Sequence, residues 1–164
     1  RNHWKEMLNP LVEHMHLQVR MNTKRRCVEV RISPETEDPG ALQKGADFLR
    51  AFMLGFDVQD AIALLRLNDL FLDSFEIKDV KRLQGHHLAR AIGRIAGQQG
   101  KTKNAIENST RTRIVLAESK IHIMGSFANA KSARNAICSL IMGSEPGKVY
   151  NRLKTVSRRL SERL

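Results

Sequence analysis

Ile92-Gly93-Arg94-Ile95-Ala96-Gly97-Gln98-Gln99-Gly100-Lys101-Thr102-Lys103 decides how the rest of the chain is read. Two glycines three residues apart interrupt what are otherwise two helical patterns, His86 to Ala96 and Lys101 to Ser109. Glycine lets a backbone come close to a phosphate with no Cβ in the way, and a helix that starts there points its unpaired N–H groups at the same place. Lys101 and Lys103 add positive charge to that turn, and Arg90, Arg94, Arg111 and Arg113 flank it. Ile92, Ile95 and Ile106, extended by Ile114 on the next strand pattern, predict an apolar floor under bound bases.

Charge outside the stretch agrees with an anionic partner. The 164 residues carry a formal charge of +11, yet residues 1–80 hold 11 Lys and Arg against 13 Asp and Glu, while residues 81–164 hold 17 against 4. The whole basic excess therefore lies in the half that carries the glycines, and the halves are expected to do different work. From 81 to 117 there are eight basic side chains and one acid, Glu107. A hydrophobic content of 41% is enough to build a core in one domain or two small ones.

Working outward, an amphipathic helix is predicted at Trp4 to Met15 with a break near Pro10. Leu17–Met21 and Cys27–Ile32 alternate with period two and predict an antiparallel hairpin. After an acidic loop from Pro34 to Gly40 come helices over Leu42–Gly55 and Val58–Leu67. The second half reads as a strand at Phe75–Val80, the two helices around the glycines, strands at Arg113–Glu118 and Lys120–Met124, a helix at Ala128–Met142 and a basic helix at Lys148–Leu164. Sliding the chain by 88 residues lays Phe48, Leu49, Phe52, Met53, Leu54 and Gly55 on Ala136, Ile137, Leu140, Ile141, Met142 and Gly143. A hairpin-helix-helix order repeats, which predicts an internal duplication whose first copy lacks the glycine turn. The fold class is α+β, with residues 1–74 a degenerate copy and 75–164 the working one.

Rival readings of the glycine turn fare worse. A P-loop, G-x-x-x-x-G-K-[ST], ending on Gly100-Lys101-Thr102 would need glycine where Ile95 stands. Plain helix capping explains two glycines, but not the longer I-G-x-I-x-G-x-x-G-K string. RNA readers built on exposed sheet aromatics are disfavoured, because Trp4, Phe48, Phe52, Phe56, Phe71, Phe75, Phe127 and Tyr150 all fall outside the basic stretch. What remains is a KH module, which clamps single-stranded RNA with a G-x-x-G turn and has the order β-α-α-β-β-α.

Nothing in the sequence gathers a catalytic or metal site. His14 and His16, the pair His86-His87, and His122 lack the spacing of ligands, and Glu35-Thr36-Glu37-Asp38 reads as solvated loop charge. Cys27 and Cys138 offer neither a disulfide framework nor a zinc pattern, which predicts a reducing intracellular setting. No apolar run nears the roughly 20 residues of a membrane span. The chain starts at Arg1 and reads as a fragment of something longer. No cofactor, metal or membrane partner is expected, and the chain is not read as an enzyme.

Taken together, Ala46-Asp47-Phe48, Gly55-Phe56, Phe75-Glu76-Ile77-Lys78-Asp79-Val80-Lys81, Gly93-Arg94-Ile95-Ala96-Gly97, Gly100-Lys101-Thr102-Lys103, Ile106-Glu107-Asn108, Thr110-Arg111-Thr112-Arg113-Ile114-Val115-Leu116 and Lys148-Val149-Tyr150 resemble the partner-of-Nob family of KH-domain small-subunit ribosome assembly factors. The resemblance covers essentially the whole chain. It implies two tandem KH-type domains, each with a three-stranded antiparallel sheet and helices on one face, the first degenerate, plus a C-terminal basic helix. It implies binding to single-stranded pre-rRNA near the 3′ end of small-subunit (18S) rRNA, and work alongside the site-D endonuclease, other small-subunit assembly factors and the rRNA dimethyltransferase. The setting it implies is nucleolus and nucleus, and also cytoplasm. Carried onto this chain, RNA contact falls on Gly97, Gln98, Gln99 and Gly100, supported by Arg94, Lys101 and Lys103. Two departures stand out: the loop between the last two strands shrinks to about Ser119, and Arg111 stands where many KH domains have glycine. The competing expectation is a protein-interaction adaptor whose KH surface docks other assembly factors.

Overall fold

The computed structural model describes residues 3–162 of the chain, which divides into two compact units, one ending at Asn68 and the other beginning at Asp69. In the first unit α1 (Trp4–Asn9) runs into a π-helical turn, Pro10–His14. The expected break at Pro10 is thus a widened turn: proline has no N–H to give the helical ladder, and the Met15 N–H instead reaches the Pro10 carbonyl at 3.2 Å. β1 (Leu17–Asn22) and β2 (Cys27–Ile32) pair antiparallel from Leu17↔Ile32 to Asn22↔Cys27. Helices α2 (Ala41–Leu54) and α3 (Val58–Arg66) complete the unit, and Leu11, Leu17, Phe48, Leu49, Phe56, Leu64 and Leu65 form its buried apolar set. Between the helices Gly55 closes α2 at φ 106°, its N–H on the Ala51 and Phe52 carbonyls.

The second unit is built on a three-stranded antiparallel sheet in the order β3-β5-β4, where β3 is Phe71–Glu76, β4 Arg113–Ala117 and β5 Lys120–Gly125. The strand expected at Phe75–Val80 lies earlier. Its apolar alternation ends at Ile77, which is wholly buried and donates its N–H to the Ser119 carbonyl at 2.9 Å. Ile77–Val80 then coils into a single helical turn, α4, closed by the Lys81 N–H on the Ile77 carbonyl. Around the sheet stand α5 (Gly85–Ala96), α6 (Lys101–Thr110), α7 (Phe127–Ile141) and α8 (Pro146–Ser161). Ile77, Ile95, Ile106, Ile121, Ile123, Ile137, Leu140 and Ile141 are completely buried between them. At about 1.5–3 kcal/mol per buried aliphatic side chain, this set dominates the stability of the unit.

Specific polar contacts pin the layers. Arg134 on α7 lays its guanidinium 4.6 Å from the Phe75 ring centre and reaches both Asp73 carboxylate oxygens at 3.0 Å, tying α7 to β3. Ser126 caps α7, its hydroxyl accepting the Asn129 N–H at 3.3 Å. The β4–β5 turn is only Glu118-Ser119, and the Ser119 hydroxyl donates to Glu76 at 3.0 Å. Helix α8 begins at Pro146, two residues ahead of the expected Lys148, as a proline suited to a first helical turn. Its expected end at Leu164 lies outside the described residues.

Candidate nucleic-acid interface

Helix α5 ends with the Gly97 N–H on the Gly93 carbonyl at 2.8 Å, and Gly97 then takes φ 73°, ψ 174°, a conformation essentially confined to glycine. A Cβ at that position would stand 2.2 Å from the Thr102 hydroxyl and 2.7 Å from the Thr102 backbone nitrogen. The chain therefore folds back on the first turn of α6 with no room for a side chain. Gln98 and Gln99 project outward and are exposed, Gln99 at φ 54°. Gly100 follows at φ 73°, ψ 13°, where a Cβ would meet nothing closer than the Asn104 amide at 3.8 Å. Of the two glycines, the first is demanded by packing and conformation, the second by conformation alone. Helix α6 starts at Lys101 with no side chain capping it, so its leading N–H groups are turned toward the loop.

The flanking cations divide into distinct roles. Arg90, Lys101, Arg111 and Arg113 are exposed. Arg111 carries the chain from α6 into β4 at φ 53°, the left-handed turn that explains why glycine is common there. Arg94 departs from the expected groove contact: its Nε donates to the Leu140 carbonyl at 3.1 Å, so its charge sits on the last turn of α7, where a cation complements the helix dipole. Ile95 departs as well. It is fully buried, as are Ile106 and, at 3% exposure, Ile114, so these side chains support the surface from beneath and only Ile92 is half-exposed. An amphipathic pattern reports which residues are apolar, not whether they line a groove or fill the core below it.

Lys103 and Glu107 show an arrangement that sequence reasoning missed. Glu107 accepts the Ile114 N–H at 3.0 Å, while the Lys103 ammonium lies 3.4 Å from the Ile114 carbonyl and 3.5 Å from the same Glu107 oxygen. The i, i+4 spacing of Lys103 and Glu107 is visible in the sequence; their common aim at one residue of β4 is not. Alongside, the Thr112 N–H bonds the Glu107 carbonyl at 3.1 Å, so α6 is stitched to the edge of the sheet.

Beyond this face, α8 buries Val149 and Leu153 and exposes Lys148, Arg152, Lys154, Arg158 and Arg159, with Arg158 paired to Glu162 at 2.9 Å; Arg163, part of the same basic set, lies outside the described residues. Among the described residues no group of three or more His, Cys, Asp or Glu side chains is gathered to hold a metal ion, and no helix is long and apolar enough to cross a membrane. His122 is buried with its Nδ1 2.7 Å from the Ser74 hydroxyl, and burial pushes the Cys138 thiol up, away from a reactive thiolate.

A family model for the second KH domain of Pno1 proteins, described as a eukaryotic type KH-domain (KH-domain type I), matches residues 74–158. The pre-rRNA-processing protein pno1 of Schizosaccharomyces pombe is 66% identical over 164 residues, a stretch covering 100% of this chain and 68% of that protein. Its Saccharomyces cerevisiae counterpart is 65% identical over 99% of this chain, which spans 60% of that relative. Among solved structures, a chain of the a/eIF2alpha-aDim2p-rRNA complex from Pyrococcus horikoshii superposes with a TM-score of 0.82 at 25% identity, covering 94% of this chain and 84% of that one.

Proposed function

The chain belongs to the Pno1 (partner-of-Nob) family of KH proteins, and on that premise we propose that it is a non-catalytic RNA-binding factor of small-subunit ribosome assembly. The Gly97–Gly100 clamp holds single-stranded pre-rRNA near the 3′ end of small-subunit rRNA. One observation carries this reading: Gly97 and Gly100 at positive φ present Gln98 and Gln99 to solvent at the uncapped start of α6, beside the exposed Lys101. That is a place where a sugar-phosphate chain can approach backbone N–H groups with no side chain between. The names of the yeast relatives, which are pre-rRNA-processing proteins, and the rRNA in the archaeal complex support the choice of ligand.

The first unit, which ends at Asn68, reads as a degenerate KH copy that has lost the clamp and serves as an accessory or protein-facing unit. Within the assembling particle the chain works beside the site-D endonuclease and the rRNA dimethyltransferase, in nucleolus and nucleus and later in the cytoplasm. Arg90, Arg111, Arg113 and Lys103 are the secondary contacts of the bound strand.

Replacing both Gln98 and Gln99 with Asp tests the clamp, since both side chains are exposed and the change puts two negative charges against the phosphates. A loss of affinity of about 30-fold or more for a 3′-end rRNA oligonucleotide, with the circular dichroism spectrum unchanged, is expected; each unfavourable charge costs on the order of 1 kcal/mol at this distance and exposure. Equal affinity in a folded double variant would refute the clamp, whereas endonuclease binding with no affinity of the wild-type chain for isolated RNA would favour the adaptor reading.

A further inference from the structure

Strand β4 is at the edge of its sheet, and Ile114 directs both of its backbone polar groups away from β5. Such groups on an edge strand ordinarily face water or recruit another hydrogen-bonding chain. Here they are already taken: the N–H by Glu107 and the carbonyl by Lys103, two side chains one turn apart on α6. The Glu107 side chain is 11% exposed and that of Lys103 31%, so the acid lies underneath and the ammonium outside it. Both follow the clamp closely, Lys103 in the first turn of α6 and Glu107 in the second.

Building on the RNA-holding reading, we infer that the Lys103–Glu107 pair is an internal competitor for the groove edge and so determines which nucleotides the groove accepts. A strand fixed at Gly97–Gly100 and running along the seam of α6 and β4 meets this pair. A nucleobase carrying an acceptor beside a donor matches the N–H and carbonyl of Ile114, but gains those bonds only by displacing Glu107 and Lys103. An edge that supplies only one of the two bonds strips the part-buried Glu107 carboxylate of its Ile114 donor, or the Ile114 carbonyl of Lys103, while returning a single bond in exchange. The displaced ammonium is free to meet the neighbouring phosphate, whereas the displaced carboxylate must move away from it. The pair thus opposes weakly matched bases and yields to well matched ones.

The experiment uses the full chain, with a single-stranded 12-mer from the 3′ end of small-subunit rRNA and an abasic oligomer of the same length as probes. Glu107→Ala should bind the base-bearing RNA about five-fold tighter, the factor that corresponds to one net hydrogen bond, while melting at a lower temperature. It should bind the abasic oligomer no more tightly than wild type does. Glu107→Gln, which keeps an oxygen for the Ile114 N–H, should bind the base-bearing RNA like wild type. In the wild-type chain the carbon NMR resonance of the Glu107 carboxylate should move with the base-bearing RNA and stay in place with the abasic one. Glu107→Ala binding equally or more weakly, equal tightening on both oligomers, or an unmoved carboxylate resonance would each overturn the inference. If wild type bound neither oligomer, the RNA-holding reading itself would fall, a result distinct from any of these.

Discussion

The two units share several irregularities, and they differ in the third strand that only the second has and in the connection before the hairpin. Each has a left-handed residue leading into its hairpin, His16 at φ 54° and Arg111 at φ 53°, and another in the hairpin turn, Arg26 at φ 53° and Glu118 at φ 54°. Each closes the helix after the hairpin with a glycine, Gly55 at φ 106° and Gly143 at φ 107°. Before the hairpin they part company. In the first unit α1 continues through Pro10 with Asn9 still helical, at φ −54°; in the second α5 halts at Gly97 and the chain makes the open turn into α6. Charge follows the same division, with 17 basic residues against 4 acids in the stretch from 81 to 164. On the proposed reading, the difference between a clamp and a clampless copy is concentrated in a four-residue turn and its electrostatic surroundings.

The harshest way to break that comparison is Gly97→Ala. With a Cβ directed at the Thr102 backbone and a glycine-only conformation, about 3 kcal/mol of stability should be lost, read as a fall in denaturation midpoint. Gly100→Ala, which has room for its Cβ, should cost about 1 kcal/mol. If the two clamp variants were equally destabilised, the packing role assigned to Gly97 would be wrong.

Arg94→Ala sharpens the division among the cations. It should remove about 1 kcal/mol through the lost bond to the Leu140 carbonyl and leave the salt dependence of RNA binding unaltered. Arg111→Gly should do the opposite. Relief of the left-handed strain should stabilise the chain by up to about 1 kcal/mol while lowering the slope of log affinity against log salt by about 0.7, one phosphate contact on a single strand. His16→Gly, the counterpart in the first unit, should bring the same relief without touching the slope.

The smallest effect expected is a pH response in the first unit. Hydrogen bonds from Asn22 and Arg20 hold the Glu29 carboxyl below its ordinary value, and Lys44 does the same for Asp38. Because both are lowered by folding, their stabilisation is fully present above the ordinary carboxylate range and fades as pH falls through the folded values. Protection factors of the β1–β2 amides, taken relative to intrinsic exchange at each pH, should fall on acidification below about pH 4, and Glu29→Gln should flatten that response.

Most of this architecture is legible from the chain because period-two and helical patterns report burial directly: the hairpin at 17–32 and the helices on either side of Gly97 fall within a residue or two of expectation. The strand now at Phe71–Glu76 was misplaced because Phe71 is half-exposed, at 52%, and Ile77 imitates one further alternating position although it begins a helical turn. Arg94 reads from the sequence as a cation flanking the turn, since the carbonyl its Nε serves lies 46 residues away in sequence. Glu107 was overlooked for a related reason: its importance depends on which backbone groups of β4 face outward, and that is set by strand register.

The turn at Glu118-Ser119, held to Glu76 and to the Ile77 N–H, has a bearing on how cargo is loaded. A long, mobile loop there would make a second wall, and a strand would have to be threaded end-first beneath it. On the proposed RNA-holding reading, so low and fixed a rim lets a ribonucleotide segment be laid in at Gly97–Gly100 from the side. A transcript whose two ends are already anchored in a large particle can then be picked up, and released, in its middle.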